Sequence, residues 1–185
     1  MMKKLSTHIN DLFVIKNIIF DDDRGSFMEI WDEKLFKKEK LIASFSKDNI
    51  SISHKNTLRG LHFQNKPHGQ LKYVRVLKGK ALDVAVDLRK KSKTFGQHLA
   101  IELSEHNHTG LWIPSGFAHG FLSLEDNTIF SYKCAGEYVP IQEKTIKWDD
   151  PDIAIKWGVK NPIISKKDKK GISFEKYKDS KQIHA

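Results

Sequence analysis

A chain of 185 residues, 39% of them hydrophobic, is long enough to bury a core and fits one domain of the usual ~100 to 200 residues. No stretch approaches the ~18 consecutive apolar residues of a membrane span, and a single cysteine, Cys134, excludes an intrachain disulfide scaffold. The net charge of +9 admits anionic partners, but the basic residues fall in surface-type runs at 34–40, 89–93 and 166–181. No zinc-finger spacing or glycine-aromatic RNA-binding motif accompanies them, so nucleic acid is not an expected partner.

In chain order, the opening lysines are followed by polar residues and not by an apolar leader, which predicts a cytoplasmic protein. Leu12 to Phe20 is a hydrophobic segment that needs cover, and Trp31 to Leu41 reads as a short helix. Leu71 to Leu77 is rich in strand formers. Lys78-Gly79-Lys80 then predicts a tight hairpin into a second strand, in which Leu82, Val84, Val86 and Leu88 alternate with Ala81, Asp83, Ala85 and Asp87 as in a half-buried strand. Leu99, Ile101 and Leu103 share one face, Leu111 to Ile113 is a short apolar run, and Thr128 to Cys134 places Phe130, Tyr132 and Cys134 on one side. Turn signals at Pro114-Ser115-Gly116 and Glu125-Asp126-Asn127 separate these runs. Many short strands with regular turns predict a closed or sandwiched antiparallel sheet, of which a jelly roll is one solution. The segment after Pro140 is expected to return over the barrel. The whole chain, 1–185, reads as one domain with residues 173–185 as a peripheral tail.

Two side chains in Arg59-Gly60-Leu61-His62 bear on chemistry. Strict strand alternation sends Arg59 and His62 to opposite faces, yet a bulge at Gly60 would turn both toward one pocket. On pattern alone the first reading of His62 is a hydrogen-bonded barrel histidine, and of Arg59 a surface cation. Metal binding is not expected, because Gln64 stands where a second histidine ligand would be needed and His68 lies in a Pro67-His68-Gly69 turn.

An ordered set of segments then resembles the dTDP-4-dehydrorhamnose 3,5-epimerase family of cupin-like sugar-nucleotide epimerases. They are Asp23-Arg24-Gly25-Ser26-Phe27-Met28-Glu29, Asn56-Thr57-Leu58-Arg59-Gly60-Leu61-His62-Phe63-Gln64 and Leu71-Lys72-Tyr73-Val74-Arg75-Val76. Pro114-Ser115-Gly116-Phe117-Ala118-His119-Gly120-Phe121, Tyr132-Lys133-Cys134 and Trp148-Asp149-Asp150-Pro151 follow in the same order, so the resemblance covers roughly residues 10 to 172. It implies a mainly β, cupin-like jelly-roll barrel with a few short helices, working without a cofactor or metal. It further implies His62 as general base oriented by Asp168, Tyr132 as the acid on the other side of the sugar, and Lys72 as the cation that meets the developing oxyanion. Arg24, Phe27, Glu29, Asn49, Arg59, Lys72, His119, Glu143 and Lys167 are the implied substrate-binding set.

The implied reaction inverts C3, C5 or both in a nucleotide-linked 4-keto-6-deoxy sugar through an enolate. Where many members carry Gln-Asp-Asn-His, this chain has Lys47-Asp48-Asn49-Ile50, which opens the possibility of a different nucleotide or a larger sugar such as a GDP-linked 4-keto-heptose. The resemblance implies a homodimer in which the Leu12 to Phe20 segment crosses to its neighbour. The competing readings are a cupin ketoisomerase on the same sugar class and a non-catalytic sugar-nucleotide-binding barrel.

Overall fold

The computed structural model describes residues 2–181 and 183–185. In chain order the strands are β1 (Met2–Ser6), β2 (Phe13–Asn17), β3 (Ile19–Asp22), β4 (Gly25–Met28), β5 (Phe45–Ser53), β6 (Thr57–Gln64), β7 (Leu71–Lys78), β8 (Lys80–Asp87), β9 (His98–Ser104), β10 (Thr109–Ile113), β11 (Phe117–Ser123), β12 (Thr128–Ala135), β13 (Glu143–Thr145) and β14 (Ile163–Ile164). Two short helices, α1 (Glu33–Lys38) and α2 (Phe174–Asp179), complete the fold. One sheet has the order β1-β2-β10-β7-β12-β5 and the other β13-β6-β11-β8-β9, with β14 pairing in parallel on β6. The fold is the expected mainly β, cupin-like one, and β3 and β4 form a separate two-stranded ribbon.

The core has three apolar layers, and they explain where the alternation pattern misled. Val74, Val76, Leu111, Phe121 and Phe130 pack between the sheets. Leu58, Leu61, Val84, Val86 and Leu88 form the outer face of the second sheet, where Ile146, Trp157, Phe174 and Tyr177 cover them. Strand β8 is therefore buried on both faces, Asp83 and Asp87 included, and is not half-buried. Phe174, Tyr177 and Ala185, from the segment expected as a peripheral tail, belong to this layer. Tyr177 and Ala185 are buried, and the Tyr177 hydroxyl donates to the Leu88 carbonyl (2.7 Å) and accepts the Ala185 N–H (3.1 Å). A third layer, on the outer face of the first sheet, packs Phe36, Tyr73 and Trp112 against Trp31.

Helix α1 is shorter than the hydrophobic pattern suggests. The Asp32 carboxylate accepts the Leu35 N–H (2.8 Å) as N-cap, which leaves Trp31 outside, and Lys40 at φ 61 ends the run. One expectation is corrected by the pairing. Lys78-Gly79-Lys80 is not a hairpin turn, because β7 pairs with β10 and β12 while β8 pairs with β9 and β11. Gly79, at φ 77, turns the chain from one sheet into the other, and its N–H donates to the Glu105 carboxylate (2.7 Å). Within the Leu12 to Phe20 segment, Phe13–Asn17 pairs with β1 and β10 of its own chain, and Leu12, Val14 and Ile15 are buried there.

The C-terminal layer yields a stability prediction. Tyr177→Ala removes a wholly buried ring and is expected to lower the unfolding free energy by about 3–5 kcal/mol, whereas Tyr177→Phe, which strands the Leu88 carbonyl, costs about 1–3 kcal/mol. Urea unfolding of both variants checks the order and size of the losses.

Candidate active site

A cavity of about 660 Å³ lies between the sheets. The first sheet supplies rows of cross-strand neighbours, since residues directly opposite in the ladder share a face. Lys47, Cys134 and Lys72 form one row across β5, β12 and β7, Asn49, Tyr132 and Val74 the next, and Ser51, Phe130 and Val76 a third. Alternation sends Ile50 to the opposite face of β5, where it is 64% exposed, so Ile50 is not part of the cavity rim. Lys47 is, and its ammonium lies 4.8 Å over the ring of Tyr138 at the mouth.

The second sheet contributes Arg59 and His62, and the expected bulge is what brings them together. His119 pairs with His62 and Phe121 with Arg59, so three steps along β6 match two along β11. Leu58 and Leu61 consequently both join the outer core while Arg59 and His62 both line the cavity. Gly60 has φ +135, and a Cβ there would lie 2.5 Å from the Gly120 Cα. A Cβ on Gly120 would in turn lie 2.6 Å from the Arg59 carbonyl oxygen. The bulge requires glycine on both strands.

His62 Nε2 lies 2.6 Å from Asp168 Oδ1, and Asp168 is 5% exposed in its side chain. The second carboxylate oxygen accepts the Gly60 N–H (3.4 Å), and the Asp168 N–H donates to Ser165 Oγ (3.0 Å). Burial works to raise the Asp168 pKa, but the His62 hydrogen bond and charge, with help from Gly60 and Ser165, hold it below the ordinary carboxylate value. Asp168 is thus an ionised partner that orients the imidazole. Facing them, Tyr132 has a raised pKa, first through burial and then through Cys134, with Arg59 opposing, so its phenol stays protonated at neutral pH. Lys72 is pushed down by burial, against Cys134, Glu143 and Asp83, and no carboxylate lies within ion-pair distance of its ammonium among the described residues.

Asn49, Arg59, His119, Glu143 and Lys167 also line the cavity. Lys167 donates to the Glu143 carboxylate, which also accepts the Tyr138 hydroxyl (3.1 Å). Burial works to raise the Glu143 pKa, but Lys167, His62 and Tyr138 together outweigh it and the net shift is downward. His119 is buried and lies 2.7 Å from Asp83 through Nε2; burial lowers its pKa against the opposing pull of Asp83. Arg24, Phe27 and Glu29 do not reach this cavity. They sit on or beside the β3–β4 ribbon, where Arg24 pairs with Asp22 (2.6 Å) and Phe27 is 67% exposed.

Sequence reading missed Asp83, Cys134 and Tyr138 as parts of the site. Asp83 carried a signal, a carboxylate inside a strand otherwise made of Leu, Val and Ala, and its Oδ2 has no hydrogen-bond partner. Tyr138 carried none, because only the fold brings 136–143 to the cavity mouth. Among the described residues no three histidine, cysteine or acidic side chains come together as a metal site. The arrangement offers an imidazole and a phenol on opposite walls, with an ammonium on the same sheet as the phenol.

A family model described as dTDP-4-dehydrorhamnose 3,5-epimerase matches residues 6–176. The chain is 44% identical over 174 residues to the dTDP-4-dehydrorhamnose 3,5-epimerase of Shigella flexneri, covering 94% of this chain and 96% of that protein. The crystal structure of dTDP-4-dehydrorhamnose 3,5-epimerase from Bacillus anthracis with TDP and PPi bound is similar at a TM-score of 0.92 and 40% identity, over 94% of this chain and 100% of that one. The dTDP-6-deoxy-D-glucose-3,5-epimerase of Legionella pneumophila, solved in complex with dTDP-4-keto-L-rhamnose, is similar at a TM-score of 0.90 and 40% identity, over 95% of this chain and 94% of that one.

The bulge is open to a direct test. Gly120→Ala, at a position without positive φ, forces β6 and β11 apart and is expected to cost about 1–3 kcal/mol of stability through overpacking. Urea unfolding gives the stability loss, and loss of the His62 to Asp168 hydrogen bond is read from the imidazole NMR signals.

Proposed function

The chain belongs to the dTDP-4-dehydrorhamnose 3,5-epimerase family, and from that premise we propose how its cavity inverts C3 and C5 of a dTDP-linked 4-keto-6-deoxyhexose. It is a carbohydrate epimerase of the isomerase class. The observation that carries the mechanism is that His62 and Tyr132 come from opposite sheets and line one cavity.

Hydrogens on C3 and C5 are acidic because the C4 carbonyl accepts the electrons left behind. His62, held by Asp168, takes the proton from one face, and the C–H electron pair moves into an enolate with its charge on O4. Lys72 meets that charge, and a cation already in place needs no reorganisation as the oxyanion forms. Tyr132 then returns a proton to carbon from the other face, which inverts the centre. Each inversion leaves His62 protonated and Tyr132 deprotonated, so proton exchange with water resets both groups before they serve the other centre. Atoms and charge balance without an external oxidant or reductant.

Arg59, Lys167, His119, Asn49 and Glu143 are assigned to the nucleotide diphosphate and sugar hydroxyls, with Arg59 suited to phosphate by its paired donors. TDP and dTDP-4-keto-L-rhamnose in the relatives' structures support thymidine as the nucleotide. The outward direction of Ile50 removes one argument for a larger, GDP-linked heptose. A sugar nucleotide is charged and does not cross membranes unaided, which supports a cytoplasmic place of action. No helix among the described residues is long and apolar enough to span a membrane.

The working unit is proposed to be a homodimer. Phe20, Phe27, Ile50 and Ile52 are all exposed apolar side chains, and covering them is favourable in proportion to the area removed from water. The same contact gives Arg24, Phe27 and Glu29 a role, because a ribbon that does not reach its own cavity can serve the cavity of a second copy. The chain is proposed to form one domain, with Phe174, Tyr177 and Ala185 packed into its core.

NMR in heavy water with dTDP-4-dehydro-6-deoxyglucose tests the mechanism. The wild type is expected to incorporate deuterium at C3 and C5 and to invert both. His62→Ala should lose about 10²–10⁴ in turnover while dTDP still binds, and Tyr132→Phe should continue exchange while inversion slows by a similar factor. Equal loss of dTDP binding in His62→Ala, or normal inversion by Tyr132→Phe, removes the residue from its role.

The pKa directions predict the alkaline limb of kcat/KM. As pH rises Lys72 loses its charge below the ordinary lysine value and activity falls with it, while Tyr132 keeps its proton to above the ordinary tyrosine value. Lys72→Arg keeps its charge to beyond about pH 12 and should move the limb upward. A limb that stays in place assigns it to another group.

A further inference from the structure

Strands β3 and β4 pair only with each other, from Ile19 opposite Met28 to Asp22 opposite Gly25. A two-stranded ribbon is marginal in water by itself, so its direction has to be set at its base. Both chain ends at that base meet one side chain. Arg75 Nη2 donates to Asn17 Oδ1 (3.1 Å), at the end of β2, and to the Ile30 carbonyl (3.3 Å), just beyond β4. Asn17 Nδ2 closes the link by donating to the Glu29 carbonyl (2.7 Å).

Arg75 is 6% exposed and takes part in no ion pair among the described residues. Its guanidinium lies 4.8 Å over the Tyr73 ring and donates to the Tyr73 hydroxyl. A buried cation without a carboxylate is costly, and neutral acceptors do not fully offset that cost. What the arrangement supplies is direction: the one nitrogen Nη2 meets both segments and is held there by the guanidinium plane over the Tyr73 ring, a stacking that a flexible ammonium does not reproduce. Strand β7 thereby serves both faces, sending Lys72 into the cavity and Arg75 to the ribbon base.

We propose that Arg75 is a positioning residue that fixes the direction of the ribbon, and with it the reach of Arg24, Phe27 and Glu29 toward the nucleotide-diphosphate sugar in the cavity of a second copy. This rests on the homodimeric epimerase reading above.

The test uses the full chain and compares Arg75→Lys in two backgrounds. In the otherwise native protein it is expected to raise KM for the dTDP-4-keto sugar about tenfold while kcat stays within about twofold, the pattern of lost binding and not of lost chemistry. With Arg24→Ala and Phe27→Ala already in place, the same substitution should change KM by less than about twofold, because residues acting through one element are not additive. Asn17→Ala cuts the link from the other side and should reproduce the KM rise, which keeps the test decisive where Arg75→Lys folds poorly. An equal KM rise in both backgrounds, or a fall in kcat at constant KM, overturns the positioning role. Absence of deuterium incorporation by the wild type overturns the epimerase reading instead.

Discussion

The close approach of Gly60 on β6 to Gly120 on β11 is the contact on which the site depends. With no Cβ on either strand, the backbones meet closely enough for β6 to take an extra residue without leaving the sheet. The extra residue turns Arg59 and His62 to the same side and puts the Gly60 N–H within reach of the Asp168 carboxylate. One local irregularity thus aims the proposed base, sets a phosphate-suited cation beside it and supplies a donor to the group that holds the base.

Around that point, burial acts in opposite senses on the two proposed partners of His62. It raises the phenol of Tyr132, which favours a proton donor, and lowers the ammonium of Lys72, which brings its charge closer to being lost. Lys72 faces Cys134 and Lys47 along its row and has no paired carboxylate among the described residues. A substrate oxyanion is the kind of partner that would offset its desolvation. Glu143 and Asp168, by contrast, are held ionised by Lys167 and His62. The cavity therefore separates satisfied charges at its walls from cations still open to an anionic ligand.

The fold was legible in its strands and less so in how they connect. Residues 71–77 read correctly because their side chains suit a pleated strand, and 128–134 because their period of two follows from the pleat itself. Gly79 read as a hairpin because a glycine at positive φ makes a tight reversal and a crossover between sheets in the same local geometry. Only the choice of partner strand separates them, and that is not local. Strand β8 read as half-buried because the C-terminal layer over it comes from residues 60 to 100 positions away.

The sequence by itself determined the strand pattern, the need for a bulge at Gly60 if Arg59 and His62 were to share a face, and the family through ordered motifs across the chain. These are local or linear properties, written in side-chain period, glycine placement and residue order. Tertiary structure decided that Asp83 holds His119, that Tyr138 stands at the mouth beneath Lys47, and that Ile50 turns away. It also decided that Arg24, Phe27 and Glu29 lie outside their own chain's cavity, on a ribbon tied at its base to Arg75. Each of these depends on which distant segments pack together, and packing is set by the burial of the whole chain at once.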